Sequence, residues 1–197
     1  MILIIDNYDS FTYNLVQYIG VINSELTVVR NDKITIQDIE KMQPERIVIS
    51  PGPGIPQQAG ISISLIRRFY KSIPIFGICL GHQSITKAFG GKIICADEIV
   101  HGKTSSINHL ESKIFNNIPE TFIATRYHSL IAERSSFPSD LRITAETDNG
   151  IIMGIEHKKY PVFGVQFHPE SIMTDYGKKM VSNFLNLIST FRSPKKN

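Results

Sequence analysis

Tryptophan is absent from this 197-residue sequence, and cysteine occurs only twice, as Cys79 and Cys95. Two thiols cannot form the disulfide framework of a small secreted protein, so they indicate a reducing compartment in which cysteine packs or does chemistry. No apolar run approaches the ~18 residues that a membrane-spanning helix requires. The apolar residues 1–5 lack the basic start and the cleavage site of a signal peptide, and we expect them to form a strand. These features predict a cytoplasmic protein that does not associate with membranes.

The sequence also lacks a large excess of either basic or acidic residues. The 21 basic and 18 acidic side chains give a formal net charge of +3, and basic residues adjoin one another only in pairs, such as the terminal Lys195-Lys196. The sequence therefore lacks the basic surface that nucleic-acid binding requires. Isoleucine, in contrast, occurs 32 times. Because isoleucine codons begin with two A/T bases and the tryptophan codon contains two G bases, we expect an AT-rich genome. That genome would be bacterial or organellar, and in the second case the protein would reside in the plastid stroma.

Short β-branched runs alternate with amphipathic stretches through the first half of the chain. The runs have the composition of buried parallel strands, and they lie at residues 2–5, 27–29, 47–49 and 73–78. Three helical patterns lie between them: one capped by Ser10 and running to about Ile19, one with a capping box at Thr35 and Asp38, and one at residues 62–70. This order predicts an α/β fold of the flavodoxin-like type, a doubly wound, mostly parallel sheet with helices on both faces. Ligands of such folds bind beyond the carboxyl ends of the strands.

The second half of the chain has a different pattern. After about Gly91, strand-like runs alternate with turn signals, and the turn at residues 148–150, Asp-Asn-Gly, predicts a hairpin between residues 141–147 and 151–156. We interpret these runs as antiparallel additions to the sheet. Residues 176–190 return to helical spacing before a polar tail at 193–197. Since no linker interrupts the chain, we expect one domain at residues 1–192.

Residues 77–81, Gly-Ile-Cys-Leu-Gly, follow the last predicted parallel strand of the first half and precede a helix predicted to end near Phe89. The pattern matches the G-x-Ser-x-G nucleophile elbow, with cysteine in place of serine. Such a strained turn requires glycine on both sides, and the helix that begins behind it favours a thiolate. Cys79 is therefore a candidate nucleophile. The alternative is a buried structural cysteine in a tight turn.

A cysteine nucleophile needs a base, and six histidines compete for that role. His168 is the strongest candidate, because it closes a strand predicted at residues 162–167 and is followed by Pro169 and Glu170. Proline keeps the preceding residue extended, so His168 and Glu170 should project from the same side of the chain. Glu170 could then orient the imidazole, as the third member of a triad does. The alternative is a surface histidine beside a glutamate.

The developing oxyanion of an amide substrate needs hydrogen-bond donors. The Leu80 N–H, directly after the nucleophile, is one candidate. The second is the Gly52 N–H, in the Ser-Pro-Gly-Pro-Gly loop at residues 50–54 that follows a predicted strand. The prolines stiffen this loop, although a rigid turn without a catalytic role is an equally good interpretation.

These motifs together resemble the class I (triad) glutamine amidotransferases, and more narrowly the small subunits of anthranilate synthase and aminodeoxychorismate synthase. The resemblance covers nearly the full length and departs from the family at no motif position. The stretches that carry it are residues 6–12, 50–54, 76–83, 101–103, 126–130 and 164–171.

The resemblance implies a catalytic triad of Cys79, His168 and Glu170, with Gly52 and Leu80 as the oxyanion hole. It also implies a set of glutamine-binding residues: Gly52, Pro53, Gly54, Gln83, Ser129 and Leu130. The residues alone support Gln83, which lies one helical turn after Cys79 on the same face.

By the same resemblance, the chain would hydrolyse glutamine and pass ammonia to a large, chorismate-binding synthase subunit in tryptophan biosynthesis. The alternative is the same role in aminodeoxychorismate synthase and folate biosynthesis, or in both. No cofactor or metal is expected in this chain, whereas magnesium is expected in the partner subunit.

The sequence supports only limited predictions for six other residues. We expect Cys95, which follows two isoleucines, to pack in the core, and we expect no metal at His101 or His109. His128 lies in one of the family-like stretches, but the sequence gives it no catalytic role. Tyr8 and Asp9 are expected to face a partner or to fix their loop.

Rival functions differ in chemistry. A cysteine peptidase or γ-glutamyl hydrolase would lack the stretches at residues 101–103 and 126–130. A thiol redox sensor would need a resolving cysteine, which the sequence does not clearly offer. A binding module without activity would not need Cys79, His168 and Glu170 together.

Overall fold

A nine-stranded mixed sheet forms the centre of the structure, a computed structural model that describes residues 1–187. The predicted tail at 193–197 and the end of the last predicted helix lie outside the described residues. In the first half, strands β1 (Ile2–Asp6), β2 (Leu26–Arg30), β3 (Arg46–Ile49) and β4 (Ile75–Ile78) alternate with helices α1 (Thr12–Ile22), α2 (Ile36–Met42), α3 (Ser62–Phe69) and α4 (Leu80–Ala88).

The second half supplies strands β5 (Ile93–His109), β6 (Thr121–Ala132), β7 (Leu141–Thr147), β8 (Ile152–His157) and β9 (Val162–Val165), followed by helix α5 (Gly177–Leu185). The sheet order is β2-β1-β3-β4-β9-β8-β7-β5-β6. Strands β2, β1, β3, β4 and β9 pair in parallel, and the remaining pairs are antiparallel. The structure confirms the predicted parallel sheet and its antiparallel additions, including the β7–β8 hairpin.

The sheet separates two apolar layers, as β1 illustrates. Ile2 and Ile4 pack in one layer, against side chains of α1 and α5, whereas Leu3 and Ile5 pack in the other, against α2 and α3. Alternate residues of a strand point to opposite faces, so a strand buried on both faces must be apolar throughout. The predicted helices on both faces are confirmed. Within residues 1–187, no helix combines the length and the apolar composition that crossing a bilayer demands.

The start of α1 differs from the prediction. Ser10 does not cap this helix; the residue at the cap position is Phe11, which has no side-chain cap hydrogen bond. The Asp6 carboxylate, at the end of β1, instead accepts hydrogen bonds from the backbone N–H groups of Tyr8 and Asp9. These bonds fix the loop before the helix, and the Asp9 carboxylate accepts from the Phe11 N–H at 2.8 Å, so acidic residues upstream organise the start of α1. The predicted capping box at the start of α2 is confirmed.

Helix α5 begins in close contact with the loop that follows β9. A Cβ atom at Gly177 would overlap the Pro169 carbonyl group, which belongs to the rigid backbone. We therefore expect Gly177→Ala to destabilise the protein by about 1–3 kcal/mol or more, measured by chemical denaturation. The control is Gly20→Ala in α1, where a Cβ meets only Leu26 at 3.7 Å; this change should be neutral or stabilising. Equal stability of the two variants would contradict the prediction.

Candidate active site

Cys79 occupies the turn between β4 and α4. Its φ of 51° and ψ of −99° lie outside the regions that a non-glycine residue favours. The flanking glycines permit this turn, because a Cβ at Gly77 would lie 2.5 Å from the Gly81 backbone, and one at Gly81 would lie 2.5 Å from the Ile49 carbonyl oxygen. The geometry of the predicted elbow, with Cys79 strained between two obligatory glycines, is confirmed.

The sulfur of Cys79 lies in a largely buried environment. The residue is only 6% exposed, and its Sγ lies 3.5 Å from Gln166 Nε2 and 3.9 Å from the Tyr127 carbonyl oxygen. The first residue of α4 follows directly, so unpaired helical N–H groups lie beside the sulfur. Burial alone would also suit a structural cysteine, and the neighbouring histidine decides between the two interpretations.

His168 and Glu170 form a buried pair at the carboxyl end of β9. His168 Nδ1 lies 2.6 Å from Glu170 Oε1, and the two residues are 3% and 2% exposed. Although burial lowers the pKa of His168, its interactions with Cys79 and Glu170, together with their negative charge, raise it well above its ordinary value. Since Glu170 occupies Nδ1, Nε2 is the nitrogen that interacts with Cys79. That contact lacks the geometry of a full hydrogen bond, and catalytic hydrogen bonds often tighten only when substrate binds.

The backbone of His168 is fixed by strand β6. The His168 N–H donates to the Thr125 carbonyl oxygen at 3.0 Å. The Thr174 hydroxyl donates to the His168 carbonyl oxygen at 2.6 Å and accepts from the Thr125 N–H at 3.0 Å. These bonds hold the imidazole beside the sulfur without using its ring nitrogens.

Two other buried histidines, His82 and His128, have lowered pKa values, in contrast to the raised pKa of His168. Burial lowers the pKa of His82 to about 4, and burial together with the charge of Arg126 lowers that of His128 to about 3. His128 Nε2 accepts a hydrogen bond from Arg126 Nε at 3.0 Å, which requires a neutral ring. At neutral pH these two rings are therefore uncharged and only weakly basic, so His168 is better suited than either of them to acid-base chemistry at Cys79.

The loop that carries Gly52 lies against the start of α4. A Cβ at Gly52 would lie 2.5 Å from Asn7 Cβ and 3.0 Å from Leu80 Cδ2. The Gly52 backbone thus packs against the Leu80 side chain, in the region where the predicted oxyanion hole would have to form. The position of the loop depends on Asn7, whose backbone N–H donates to Ser50 Oγ at 2.9 Å and whose side-chain amide donates to the Ser50 carbonyl oxygen at 2.8 Å.

The residues assigned to glutamine binding differ in how deeply they are buried. Gln83 is buried, and its Nε2 donates to the Leu130 carbonyl oxygen at 3.2 Å and to Gln166 Oε1 at 3.2 Å. Leu130 is half-buried, whereas the remaining ones are exposed at the rim: Pro53, Gly54 and Ser129. The structure brings Gln83 and Leu130 into contact, although the two are 47 positions apart in sequence.

Sequence reasoning missed Gln166 and gave Tyr127 no role. The Tyr127 ring packs against the His168 imidazole at 5.1 Å between centroids. Gln166 precedes His168 by two positions, and residues two apart in a strand lie on the same face. That spacing could have identified Gln166 as a neighbour of the site.

The prediction for Cys95 is wrong, because the residue is exposed. It precedes an irregularity in the β5–β6 pairing between Cys95 and Val100, and β7 pairs with β5 only at residues 107–109. This part of β5 therefore projects beyond the layered sheet, and an apolar neighbourhood in sequence does not bury it.

The remaining predicted positions have structural partners. The two ring nitrogens of His109 lie 3.0 Å and 3.2 Å from the carbonyl oxygens of Leu110 and Ile118, so its N–H can donate to one of them, and His101 packs on Tyr127. No group of three or more possible metal ligands occurs in the part of the chain that the structure describes.

The family described as Glutamine amidotransferase class-I matches residues 3–188. The Bacillus subtilis protein named aminodeoxychorismate/anthranilate synthase component 2 is 55% identical over 192 residues, which cover 98% of this chain and 97% of that protein. Anthranilate synthase component 2 of Porphyra purpurea is 54% identical, over 94% of this chain and 99% of that protein.

One relative is longer. The bifunctional protein TrpGD of Thermotoga maritima is 55% identical over 94% of this chain, but the chain spans only 32% of that protein. Among solved structures, a Thermoplasma acidophilum protein described as one of the subunits of GMP synthase has a TM-score of 0.82 at 24% identity, over 93% of this chain and 91% of that one. This likeness supports the fold. Because the family match runs through both the turn that holds Cys79 and the segment that holds His168, this chain belongs to the class I glutamine amidotransferases.

Proposed function

We propose that this chain is the glutaminase subunit of an anthranilate synthase, in which it hydrolyses glutamine and delivers ammonia to a chorismate-binding partner for tryptophan biosynthesis. The observation that carries the proposal is the buried His168–Glu170 pair, whose imidazole interacts with an elbow cysteine. The near full-length identity to two synthase components named above supports the choice of product.

In the proposed mechanism, the Cys79 thiolate attacks the side-chain amide carbon of glutamine. The oxygen of the tetrahedral intermediate accepts hydrogen bonds from the N–H groups of Gly52 and Leu80. The carbon–nitrogen bond then breaks, and His168 gives its proton to the leaving nitrogen, which departs as ammonia. A glutamyl thioester on Cys79 remains.

The second half of the cycle reverses the proton transfer. A water molecule loses a proton to His168 as its oxygen adds to the thioester, and the carbon–sulfur bond breaks to release glutamate and the thiolate. Glu170 holds the imidazole in the required orientation throughout. Binding of the glutamine backbone is assigned to Pro53, Gly54, Gln83, Ser129 and Leu130, with Gly52.

The proposal requires a second chain that consumes ammonia. Free ammonia is mostly protonated at neutral pH, so the partner should dock over the Cys79 site and enclose the ammonia path. Exposed apolar side chains near the site support this position: Tyr8, Phe11, Ile172, Met173 and Tyr176. We expect the chorismate and its magnesium to bind in the partner, and no cofactor in this chain.

Aminodeoxychorismate synthesis is the second candidate product, because the relative from Bacillus subtilis carries both names. The deciding experiment mixes this chain with an anthranilate synthase or an aminodeoxychorismate synthase large subunit, glutamine, chorismate and magnesium, and identifies the aromatic product. Anthranilate alone supports the first proposal, and aminodeoxychorismate alone contradicts it. Formation of both products would indicate that the two synthases share this chain.

We base the proposed cellular compartment on the type of genome that would encode this protein. A bacterial gene would place the protein in the cytoplasm, and a plastid gene, consistent with the AT-rich codon usage implied by 32 isoleucines, would place it in the stroma. Fractionation of the source cells distinguishes the two.

Replacing Gly52 tests the oxyanion hole. In Gly52→Ala, the added methyl group would press on Asn7 and Leu80 and displace the Gly52 N–H. We expect about a 10²-fold loss of glutamine-dependent kcat in the complex, the size of effect that removing one oxyanion donor produces. Synthesis from added ammonium salt should change less than twofold. Gly20→Ala is the control, and unchanged glutamine turnover in the Gly52 variant would exclude that loop from the oxyanion hole.

A further inference from the structure

A series of hydrogen bonds runs from the Leu130 carbonyl group through the side-chain amides of Gln83 and Gln166 to the Cys79 sulfur. The Leu130 carbonyl oxygen and Gln166 Oε1 both lie 3.2 Å from Gln83 Nε2, and Gln166 Nε2 lies 3.5 Å from Cys79 Sγ. Gln166 has no solvent exposure, so water does not compete for its side chain.

The Leu130 carbonyl group determines which way the two glutamine side-chain amides are turned. A backbone carbonyl can only accept hydrogen bonds, so the Gln83 amide must turn its NH₂ group toward Leu130, and the second hydrogen of that group points to Gln166. Gln166 must therefore turn its oxygen toward Gln83, which directs its own NH₂ group at the sulfur. The orientation of the Gln166 amide is thus set by the protein on both sides.

An N–H group aimed at this sulfur stabilises negative charge there. The charge is present on the attacking thiolate, and it develops again on sulfur when the carbon–sulfur bond of a thioester breaks. Hydrogen bonds to ionised groups are stronger than those between neutral groups. The backbone of Gln166 is anchored separately, because its N–H donates to the Met153 carbonyl oxygen at 2.9 Å.

We propose that Gln166 is a further catalytic residue, which donates a hydrogen bond from Nε2 to the Cys79 sulfur and stabilises the thiolate as nucleophile and as leaving group. The inference rests on the proposed glutaminase function. It assigns Gln83 a second task, since the Gln83 amide that lies in the substrate pocket also orients the donor to the sulfur.

The test uses Gln166→Glu, which keeps an oxygen acceptor for Gln83 but replaces the N–H donor to sulfur with a second oxygen. It is made in a Cys95→Ser background, so that Cys79 is the only thiol. Iodoacetamide alkylation of Cys79 is followed between about pH 5 and pH 10. We expect about 10- to 100-fold slower alkylation than in the parent at pH 7, with the difference closing at high pH. In the complex with the large subunit, kcat for glutamine should fall by a similar factor and KM should change less than about threefold.

Asn183→Leu is the matched control. The Asn183 amide also donates two hydrogen bonds, to the carbonyl oxygens of Ile114 and Asn116, but it lies on α5 away from the sulfur. This variant should reproduce the parent alkylation profile even if it loses stability. An alkylation profile of Gln166→Glu within twofold of the parent would overturn the proposal, because loss of a hydrogen-bond donor to the thiolate has to slow alkylation at neutral pH.

A measurement on the unsubstituted Gln166 side chain tests the proposal even if the Gln166→Glu variant fails to fold. In the Cys95→Ser chain labelled with ¹⁵N-glutamine, we expect one buried side-chain NH₂ signal to shift when Cys79 is alkylated, and we expect Gln166→Asn to identify that signal as Gln166. An unshifted Gln166 signal would overturn the proposal. If the unsubstituted complex fails to hydrolyse glutamine, the proposed function fails, whereas the alkylation and NMR results still report on the sulfur contact.

Discussion

Cys79→Ser should lose glutamine-dependent synthesis by at least about 10⁴-fold in the complex, while synthesis from added ammonium salt remains within twofold of the parent. Serine keeps the strained elbow and nearly the same volume. Its hydroxyl, however, does not ionise near neutral pH, whereas the histidine base of this site is placed to pair with a thiolate. The product formed from each nitrogen source is measured in the same preparation, so that the ammonia-dependent rate reports the integrity of the complex.

Cys95→Ser is the control for this variant. Cys95 is the other thiol of the sequence and is exposed on β5. Its replacement should leave both rates unchanged. If Cys79→Ser hydrolysed glutamine at the parental rate, the sulfur would not be the nucleophile and the mechanism would be wrong.

Glu170→Gln should lower glutamine-dependent kcat by about 10²- to 10⁴-fold. Glutamine is nearly isosteric with glutamate, but it cannot stabilise the imidazolium by charge, and its NH₂ group can force the His168 ring into the wrong tautomer. Glu156→Gln is a matched control, because that carboxylate bonds Ser112 and Arg142 at a distance from the elbow. Loss of glutamine turnover in both variants to the same extent would indicate general destabilisation instead of a role for Glu170.

The same substitution should change how stability depends on pH. Because the folded-state pKa of His168 is raised, proton binding by this residue stabilises the native state. That contribution is fully present below the unfolded value of about 6.5, and it is lost as pH rises through the raised folded-state pKa. The deficit in unfolding free energy of Glu170→Gln should therefore be largest at pH 5–6 and should shrink toward alkaline pH. A deficit that grows with pH would contradict the assigned cause of the shift.

Local patterns predicted the elements that depend on local chemistry. The apolar run of β1, the capping box at Thr35, the hairpin turn at residues 148–150 and the elbow around Cys79 each have a short-range cause, and the structure contains all four. The pairing of His168 with Glu170 was also predicted, although it forms across a turn, in which the Ser171 N–H donates to the His168 carbonyl oxygen at 3.2 Å, and not along an extended chain.

Errors arose where the cause lies in distant residues. Ser10 does not cap α1, and the loop before this helix is held instead by the Asp6 carboxylate, which reaches forward from β1 to the Tyr8 and Asp9 N–H groups. Cys95 is exposed in a part of β5 that pairs with β6 alone, because β7 pairs with β5 only at residues 107–109. Burial of this kind depends on the order of strands in the sheet, which the sequence around Cys95 does not encode.

The candidate site also contains contacts that local sequence patterns do not predict. Gln166 contacts both Cys79, 87 positions away, and Gln83, 83 positions away. These contacts exist because β9 inserts beside β4 in the sheet. No motif reports that adjacency, although the two-residue spacing between Gln166 and His168 is consistent with it.

The attack of Cys79 on glutamine can be tested most directly by labelling with a glutamine-mimicking diazo-ketone, followed by peptide mass mapping. The protein contains its own control, since the exposed Cys95 should react readily with an unselective alkylating agent. We predict that the diazo-ketone adds to Cys79 alone, that glutamine slows the addition, and that Cys95 stays unmodified. Equal labelling of both cysteines, or no labelling of Cys79 in the complex with its synthase partner, would contradict the account.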